Sequence, residues 1–264
     1  MQSTSENGIA EYNAGLFDNP EVAEWYDNQQ LYPAERIILD QFRHAYAGKR
    51  LLDLGVGTGR TTKPLLPLVG DYIGIDRSQP MLALARRNFP AATFLDMDVR
   101  AIGQFGAERF DCVLGALAIL SAFDHEDRLA IIHAVRSILA PGGYFIFSFH
   151  NRQWKRAGGM PLHRRSWHPR EVVNSLHPQS WINYLRLQPS TRRTPEYAIL
   201  ADQAHRWSGL FYFIDLAAQT RQLQDAGFEV VARYGENGRR IEESSDTSND
   251  GLLNLVCRAA PQSS

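Results

Sequence analysis

This sequence has few of the features that would place a chain outside the cytosol or in a membrane. It has only two cysteines, Cys112 and Cys257, each inside an apolar, strand-like run. They read as reduced core residues rather than as a disulfide or redox pair. No apolar run approaches the roughly 20 residues needed to span a bilayer. The opening stretch, Met1 to Ala10, lacks the basic and apolar regions of a secretory signal, so the expected location is cytoplasmic. An excess of charge is also missing: Lys and Arg number 28 against 29 Asp and Glu, a formal net charge of -1. A protein that binds nucleic acid over its whole surface is usually basic, so that class is disfavoured. The histidines lack metal-ligand spacing and the cysteines fall in core strands, so no metal is expected. There is no internal repeat and no long low-complexity tract. At 264 residues, 44% of them hydrophobic, the chain suits one α/β domain with insertions or with a small cap.

The most informative stretch is Leu51-Leu52-Asp53-Leu54-Gly55-Val56-Gly57-Thr58-Gly59-Arg60. A short apolar strand runs into a turn with glycine at every second position, followed by a helix start. Glycines so close together allow positive φ and let a ligand approach the main chain. Such a turn, ahead of a helix N-terminus, is a nucleotide-binding device in doubly wound folds. The spacing is G-x-G-x-G rather than G-x-G-x-x-G, and Asp53 precedes it. A carboxylate there would repel a pyrophosphate but suits a ligand with a cationic end.

On Asp53, Gly55, Gly57 and Gly59 the chain resembles the class I S-adenosylmethionine-dependent methyltransferases, whose signature is D/E-x-G-x-G-x-G. The resemblance covers residues 33 to 150 well and the segment from about 208 onward in outline. It implies S-adenosylmethionine as cofactor and a Rossmann-like, doubly wound, seven-stranded sheet, with strands six and seven as an antiparallel edge pair. The expected organisation is an N-terminal helical cap (1–47), a cofactor-binding core (48–150), a lid insertion after strand five (151–207) and a C-terminal part of the core (208–264).

The elements after the glycine turn fit that scheme. Tyr72 to Ile75 is an apolar strand ending in Asp76, where a carboxylate accepts hydrogen bonds from both ribose hydroxyls; Arg77 follows it. Ser78 caps a helix that carries Met81. By resemblance Met81 lies near the nucleoside, although a plain core position is an equal reading. After the strand Ala92 to Leu95, the resemblance makes Asp98 and the Val99 N–H partners of adenine, which offers a matching donor and acceptor; Asp96 is a rival. Phe110 to Leu114 is strand four. The resemblance puts the main-chain carbonyls of Ala116 and Leu117 against the amino group of the cofactor. Beyond them Ala118-Ile119-Leu120-Ser121 lacks the polar or histidine-bearing sequence of many relatives, which leaves this part of the pocket apolar. Asp124 caps a helix with Leu129, Ile132, Val135 and Leu139 inward. Pro141-Gly142-Gly143 turns into strand five, Tyr144 to Phe149.

His150 follows at the carboxyl end of strand five, which faces the ligand crevice in such sheets. It is the candidate general base, with a structural or a polarising role as alternatives. Upstream, residues 1 to 18 read as mobile, and helices start at Pro20 and at Pro33. By resemblance an N-terminal helix closes over the cofactor, with Tyr26 as its candidate contact; Tyr26 and Tyr32 could equally pack on the sheet edge.

Residues 151 to 206 depart from strand–helix alternation. They hold ten Arg or Lys against three acidic residues, a net +7, together with several tryptophans. They read as a lid whose cations, Arg164 and Arg165 above all, receive an anionic group on the substrate; a solvated basic face is the alternative. Asp215 caps another helix, which ends at Gly227. Phe228 to Tyr234 and Leu252 to Ala259 are strands six and seven, and 237 to 250 is a polar loop or locally disordered.

The expected activity is in-line methyl transfer to O or N of a small molecule such as a sugar, nucleotide sugar or natural-product intermediate. An RNA methyltransferase, a nicotinamide oxidoreductase and a non-catalytic cofactor-binding partner subunit are the alternatives. Oligomeric state is not legible.

Overall fold

The computed structural model describes residues 8–161, 173 and 176–260. Parallel strands β1 (Arg50–Leu54), β2 (Asp71–Asp76), β3 (Thr93–Asp96), β4 (Phe110–Gly115) and β5 (Leu139–Asn151) form the centre of one sheet. They stand in the order β3-β2-β1-β4-β5. Successive residues of a strand face opposite sides, and both sides are apolar here. Leu52, Leu54, Val113 and Phe145 pack into one core cluster, and Leu51, Tyr72, Cys112 and Ile146 into the other. On the first face lie α6 (His125–Ile138) and α8 (Leu216–Asp225). On the second lie α3 (Pro33–Gln41), α4 (Thr62–Leu65) and α5 (Gln79–Asn88). Covering both faces is what a parallel sheet built from near-continuous apolar strands requires.

The seven expected strands are present. β9 (Phe228–Tyr234) pairs antiparallel with β10 (Leu252–Ala259), and β10 pairs antiparallel with β5. The count, however, is ten among the described residues, because three further strands extend the same sheet. β6 (Arg192–Arg193), β7 (Tyr197–Ala201) and β8 (Leu210–Ile214) form an antiparallel meander. β4 covers one edge of β5 as far as Phe147, and β8 takes up that edge beyond it, pairing at His150 and Asn151. The extension therefore stands above the carboxyl end of β4. Its wholly buried run Leu210-Phe211-Tyr212-Phe213-Ile214 is a strand the sequence reading overlooked. The remaining lid helix, α7, spans Pro178–Leu187.

Other expectations are corrected. Residues 9–17 form helix α1 (Ile9–Phe17), not a mobile tail. Its first N–H donates to Asp124 Oδ2 at 2.8 Å, so Asp124 holds a neighbouring helix rather than capping its own. Asn13 is buried and exchanges two hydrogen bonds with the Leu210 main chain, at 2.6 and 3.1 Å. On α6 the inward positions are Arg128, Ile131, Ile132, Val135 and Ile138, with Leu129 only half-buried. The buried Arg128 guanidinium sits 4.7 Å from the Tyr212 ring centre and binds Gln222 and Gln219; burial lowers its pKa to about 10. The polar stretch 237–250 is an ordered loop, pinned by Asn151 Nδ2 donating to the carbonyls of Thr247 and Asp250. α2 (Pro20–Asp27) completes the cap.

Candidate active site

The carboxyl ends of β1, β2, β4 and β5 open into one cavity of about 1170 Å³. α1 and α2 roof it, and residues 202–208 of the lid close the far side. A single small ligand usually occupies roughly 300–1,000 Å³, so the chamber has room for two reactants side by side.

Gly55, Gly57 and Gly59 all have positive φ, at 60°, 56° and 91°, but only the middle one leaves open space. A Cβ on Gly57 would meet nothing nearer than Met81 Sδ at 3.9 Å, whereas Ile119 and Phe89 crowd the other two positions at 2.5 and 2.6 Å. Gly55, Val56, Gly57 and Thr58 belong to the cavity wall; Gly59 does not. Asp76, also in the wall, accepts from the Gly57 N–H and the Ser78 N–H, each at 2.9 Å. Both carboxylate oxygens are thus oriented by main-chain donors at the cavity wall. Burial raises the Asp76 pKa.

Asp53 is 1% exposed and absent from the wall. It lies behind the loop, accepting from the hydroxyls of Thr61 and Tyr72 at 2.5 and 2.8 Å. Burial, only partly offset by these bonds, pushes its pKa up to about 6. The expected direct contact with a cationic tail is replaced by a carboxylate that shapes the loop from beneath.

Asp98, Val99, Met97 and Met81 line the next part of the wall. Burial would raise the Asp98 pKa, but the Arg100 side chain and N–H outweigh it and hold the carboxyl below its ordinary value. Arg77, in the wall as well, reaches Asp98 at 3.4 Å and Glu11 of α1 at 3.7 Å. Asp96 binds the Gln79 side-chain amide instead, at 2.6 Å, and lies outside the wall.

At the end of β4, Ala116 and Leu117 face the cavity. Leu117 and Ala118 are left-handed, with φ of 48° and 55°, a conformation costly for non-glycine residues that tends to mark functional sites. The Ala118 N–H donating to Ser148 Oγ at 2.7 Å secures the turn.

The other half of the chamber is aromatic. Trp25, Tyr26, Phe123, Trp154, Trp207 and Phe211 contribute to it. His150 lies there, against the rings of Phe211 and Phe213, with Nε2 3.9 Å from Asp202 Oδ2. The Tyr26 hydroxyl lies 3.0 Å from His205 Nε2, so Tyr26 points into the site rather than packing on the sheet edge. Arg164 and Arg165 fall outside the described residues. Among the described basic residues of the lid, Arg206 is in the wall, while Arg152 is held by Asp215 at 3.0 Å.

Several wall residues were not anticipated. Arg60 follows the third glycine and grips Glu35 of α3, tying the cap to the loop; a cation next to the glycine motif was its only sequence signal. Asp202 and His205 carry no spacing signal, because they reach the site only through the β7–β8 connection.

The doubly wound sheet with antiparallel β10 between β5 and β9, and the glycine turn, Asp76 and Asp98 around one cavity, define the class I methyltransferase fold. Residues 51–143 match the family described as "Methyltransferase domain". Among curated relatives, the ubiquinone biosynthesis O-methyltransferase of Acinetobacter baumannii (strain ACICU) is 27% identical over 147 residues, covering 51% of this chain and 60% of the relative. The corresponding protein of Cereibacter sphaeroides is 33% identical over 145 residues, covering 53% and 56%. The chain thus spans at most 60% of the length of either relative. Among solved structures, Burkholderia thailandensis 1,6-didemethyltoxoflavin-N1-methyltransferase with bound 1,6-didemethyltoxoflavin and S-adenosylhomocysteine aligns with TM-score 0.61 at 15% identity, covering 99% of this chain and 92% of that one. A DhpI–S-adenosylhomocysteine complex aligns with TM-score 0.59 at 19% identity, covering 97% and 100%.

Proposed function

We propose that this chain transfers the sulfonium methyl group of S-adenosylmethionine, in line, to a small planar acceptor held in the aromatic half of the cavity. The observation that carries the reading is that Gly57, Asp76, Asp98 and Val99 line one continuous hollow. Asp76 lies in its wall as a carboxylate suited to two ribose hydroxyls, and Asp98 with Val99 suits the donor and acceptor of adenine. The Ala116–Leu117 turn takes the amino group of the cofactor. The methyl is already activated by the positive sulfur, so the protein supplies position and exclusion of water. Alignment of that kind contributes at best about 7–11 kcal/mol.

An aromatic-walled cavity favours a small flat molecule. The anionic acceptor expected from the basic lid loses ground, because Asp202 faces the same space and Arg152 is already paired. The O-methyltransferase and heteroaromatic N-methyltransferase among the relatives support an aromatic or heteroaromatic acceptor. His150 is proposed to orient it. Isothermal titration tests the cofactor reading: S-adenosylmethionine and S-adenosylhomocysteine bind, and NAD does not. Tight NAD binding with no response to S-adenosylhomocysteine would falsify it.

A further inference from the structure

We propose that Tyr26 and His205 are the proton-accepting pair of this site, and that the acceptor is an acidic hydroxyl of phenol or enol type. The proposal rests on the methyl-transfer reading above. The two side chains come from α2 and from the lid, 179 residues apart, and meet at 3.0 Å in the cavity wall. Phe17 and Trp25 pack edge-on against the imidazole, with ring centres 5.9 and 5.7 Å away, so its plane is fixed.

The backbone is bent to deliver this ring. His205, Arg206 and Trp207 have φ of 51°, 57° and 58°, three consecutive left-handed residues without a glycine. Each is costly for a residue with a Cβ and persists only where the surroundings enforce it. Trp207 Nε1 donates to the Gly159 carbonyl, and Asn183 Nδ2 to the Arg206 carbonyl, each at 3.0 Å. A connection between two antiparallel strands has no need of such strain; presenting an imidazole to the chamber does.

Charge arranges the pair for accepting a proton. Asp202 and Arg206 approach from the lid and His150 from β5, while Tyr32, Arg60 and Asp76 surround the Tyr26 side. Burial lowers the His205 pKa against the opposing pull of Asp202, leaving a neutral imidazole at pH 7. Burial likewise keeps the Tyr26 phenol protonated. With the imidazole proton on Nδ1, Nε2 accepts from the Tyr26 hydroxyl.

In the reaction the acceptor O–H proton passes to the Tyr26 oxygen, and the Tyr26 proton passes to His205 Nε2. The acceptor oxygen forms the new bond to the methyl carbon as the sulfur–methyl bond breaks and leaves its electron pair on sulfur. The positive charge moves from sulfonium to an imidazolium beside Asp202, and no further reactant is needed.

The probe is 4-nitrocatechol, whose absorbance reports its ionisation. Added to the protein loaded with S-adenosylhomocysteine, it is expected to bind as the phenolate below the pH at which it ionises in free solution. With S-adenosylmethionine it is expected to be O-methylated, with kcat falling as His205 is protonated at low pH. Tyr26→Phe keeps the ring, and His205→Asn keeps a residue tolerant of the left-handed region. Each should lower kcat by about 10²-fold or more, leave the S-adenosylhomocysteine Kd within about twofold, and in His205→Asn abolish the acid limb. Either variant at wild-type kcat, or S-adenosylhomocysteine binding without ionisation or methylation of the probe, overturns the proposal. Failure to bind S-adenosylhomocysteine at all removes the methyl-transfer reading itself.

Discussion

Arg60 and Glu35 form a two-pronged ion pair, at 2.5 and 2.8 Å, with side chains only 8% and 11% exposed. Glu35 also accepts the Tyr32 N–H at 2.7 Å, and the guanidinium lies 5.7 Å from the Tyr32 ring centre. One pair thus joins the glycine loop to the helical cap. Removing one partner of a buried pair strands the other charge, which costs about 3–5 kcal/mol. Arg60→Ala is expected to lower unfolding stability by that order in denaturant titration. It should also weaken S-adenosylhomocysteine binding, because the cap no longer rests on the loop. Unchanged stability would mean the pair is solvated in solution.

Asn13 joins α1 to the lid through both main-chain groups of Leu210. Asn13→Ala leaves a buried donor and a buried acceptor unsatisfied, each worth about 1–3 kcal/mol. Hydrogen exchange should rise across residues 9–17 and 210–214 together, while β1 and β4 keep their protection. Faster exchange in α1 alone would show that the lid stands without the cap.

Asp76→Asn offers one of its main-chain N–H partners an amide donor in place of an acceptor and removes a carboxylate charge from the cavity wall. Charge-assisted hydrogen bonds are worth about 1.5–3 kcal/mol, and each 1.4 kcal/mol is about tenfold. S-adenosylhomocysteine affinity should fall roughly 10- to 100-fold by titration calorimetry. An affinity within twofold of wild type would detach Asp76 from the cofactor.

Asp53 makes a prediction about pH. Its pKa is raised in the fold to about 6, above the ordinary value of about 3.9 of an unfolded chain. The folded state therefore holds the proton more tightly. The stability contributed is fully present below about pH 4 and is lost as pH rises through about 6. Denaturation of wild type and Asp53→Asn should show wild type losing ground to the variant over that window, by an amount on the order of 3 kcal/mol. A pH-independent difference would mean that Asp53 is ionised throughout.

Much of the fold was legible because its signals are local. The apolar runs of β1, β2, β4 and β5, the glycine turn, Ser78 at its helix start and the antiparallel pair β9 and β10 all follow from neighbouring residues. Gly57, Asp76, Met81, Asp98, Val99, Ala116 and Leu117 could be nominated because each stands at the carboxyl end of a strand or at the start of the helix after it. There the doubly wound topology alone sets direction. The chain could not announce α1, which looks like a polar tail until Asn13 and Asp124 bind it. Nor could it announce β8, which pairs along its length with β7 and joins β5 only where β4 stops and leaves that edge open.

The sequence by itself determined the sheet, the glycine turn and the glycine-turn side of the cavity, because strand periodicity and turn chemistry operate within a few residues. Tertiary structure alone decided the other side. It drew Asp53 behind the loop, engaged Arg60 with Glu35, and brought His205 to Tyr26 across 179 residues. These are contacts between surfaces that meet only after the sheet has formed, so no spacing along the chain encodes them.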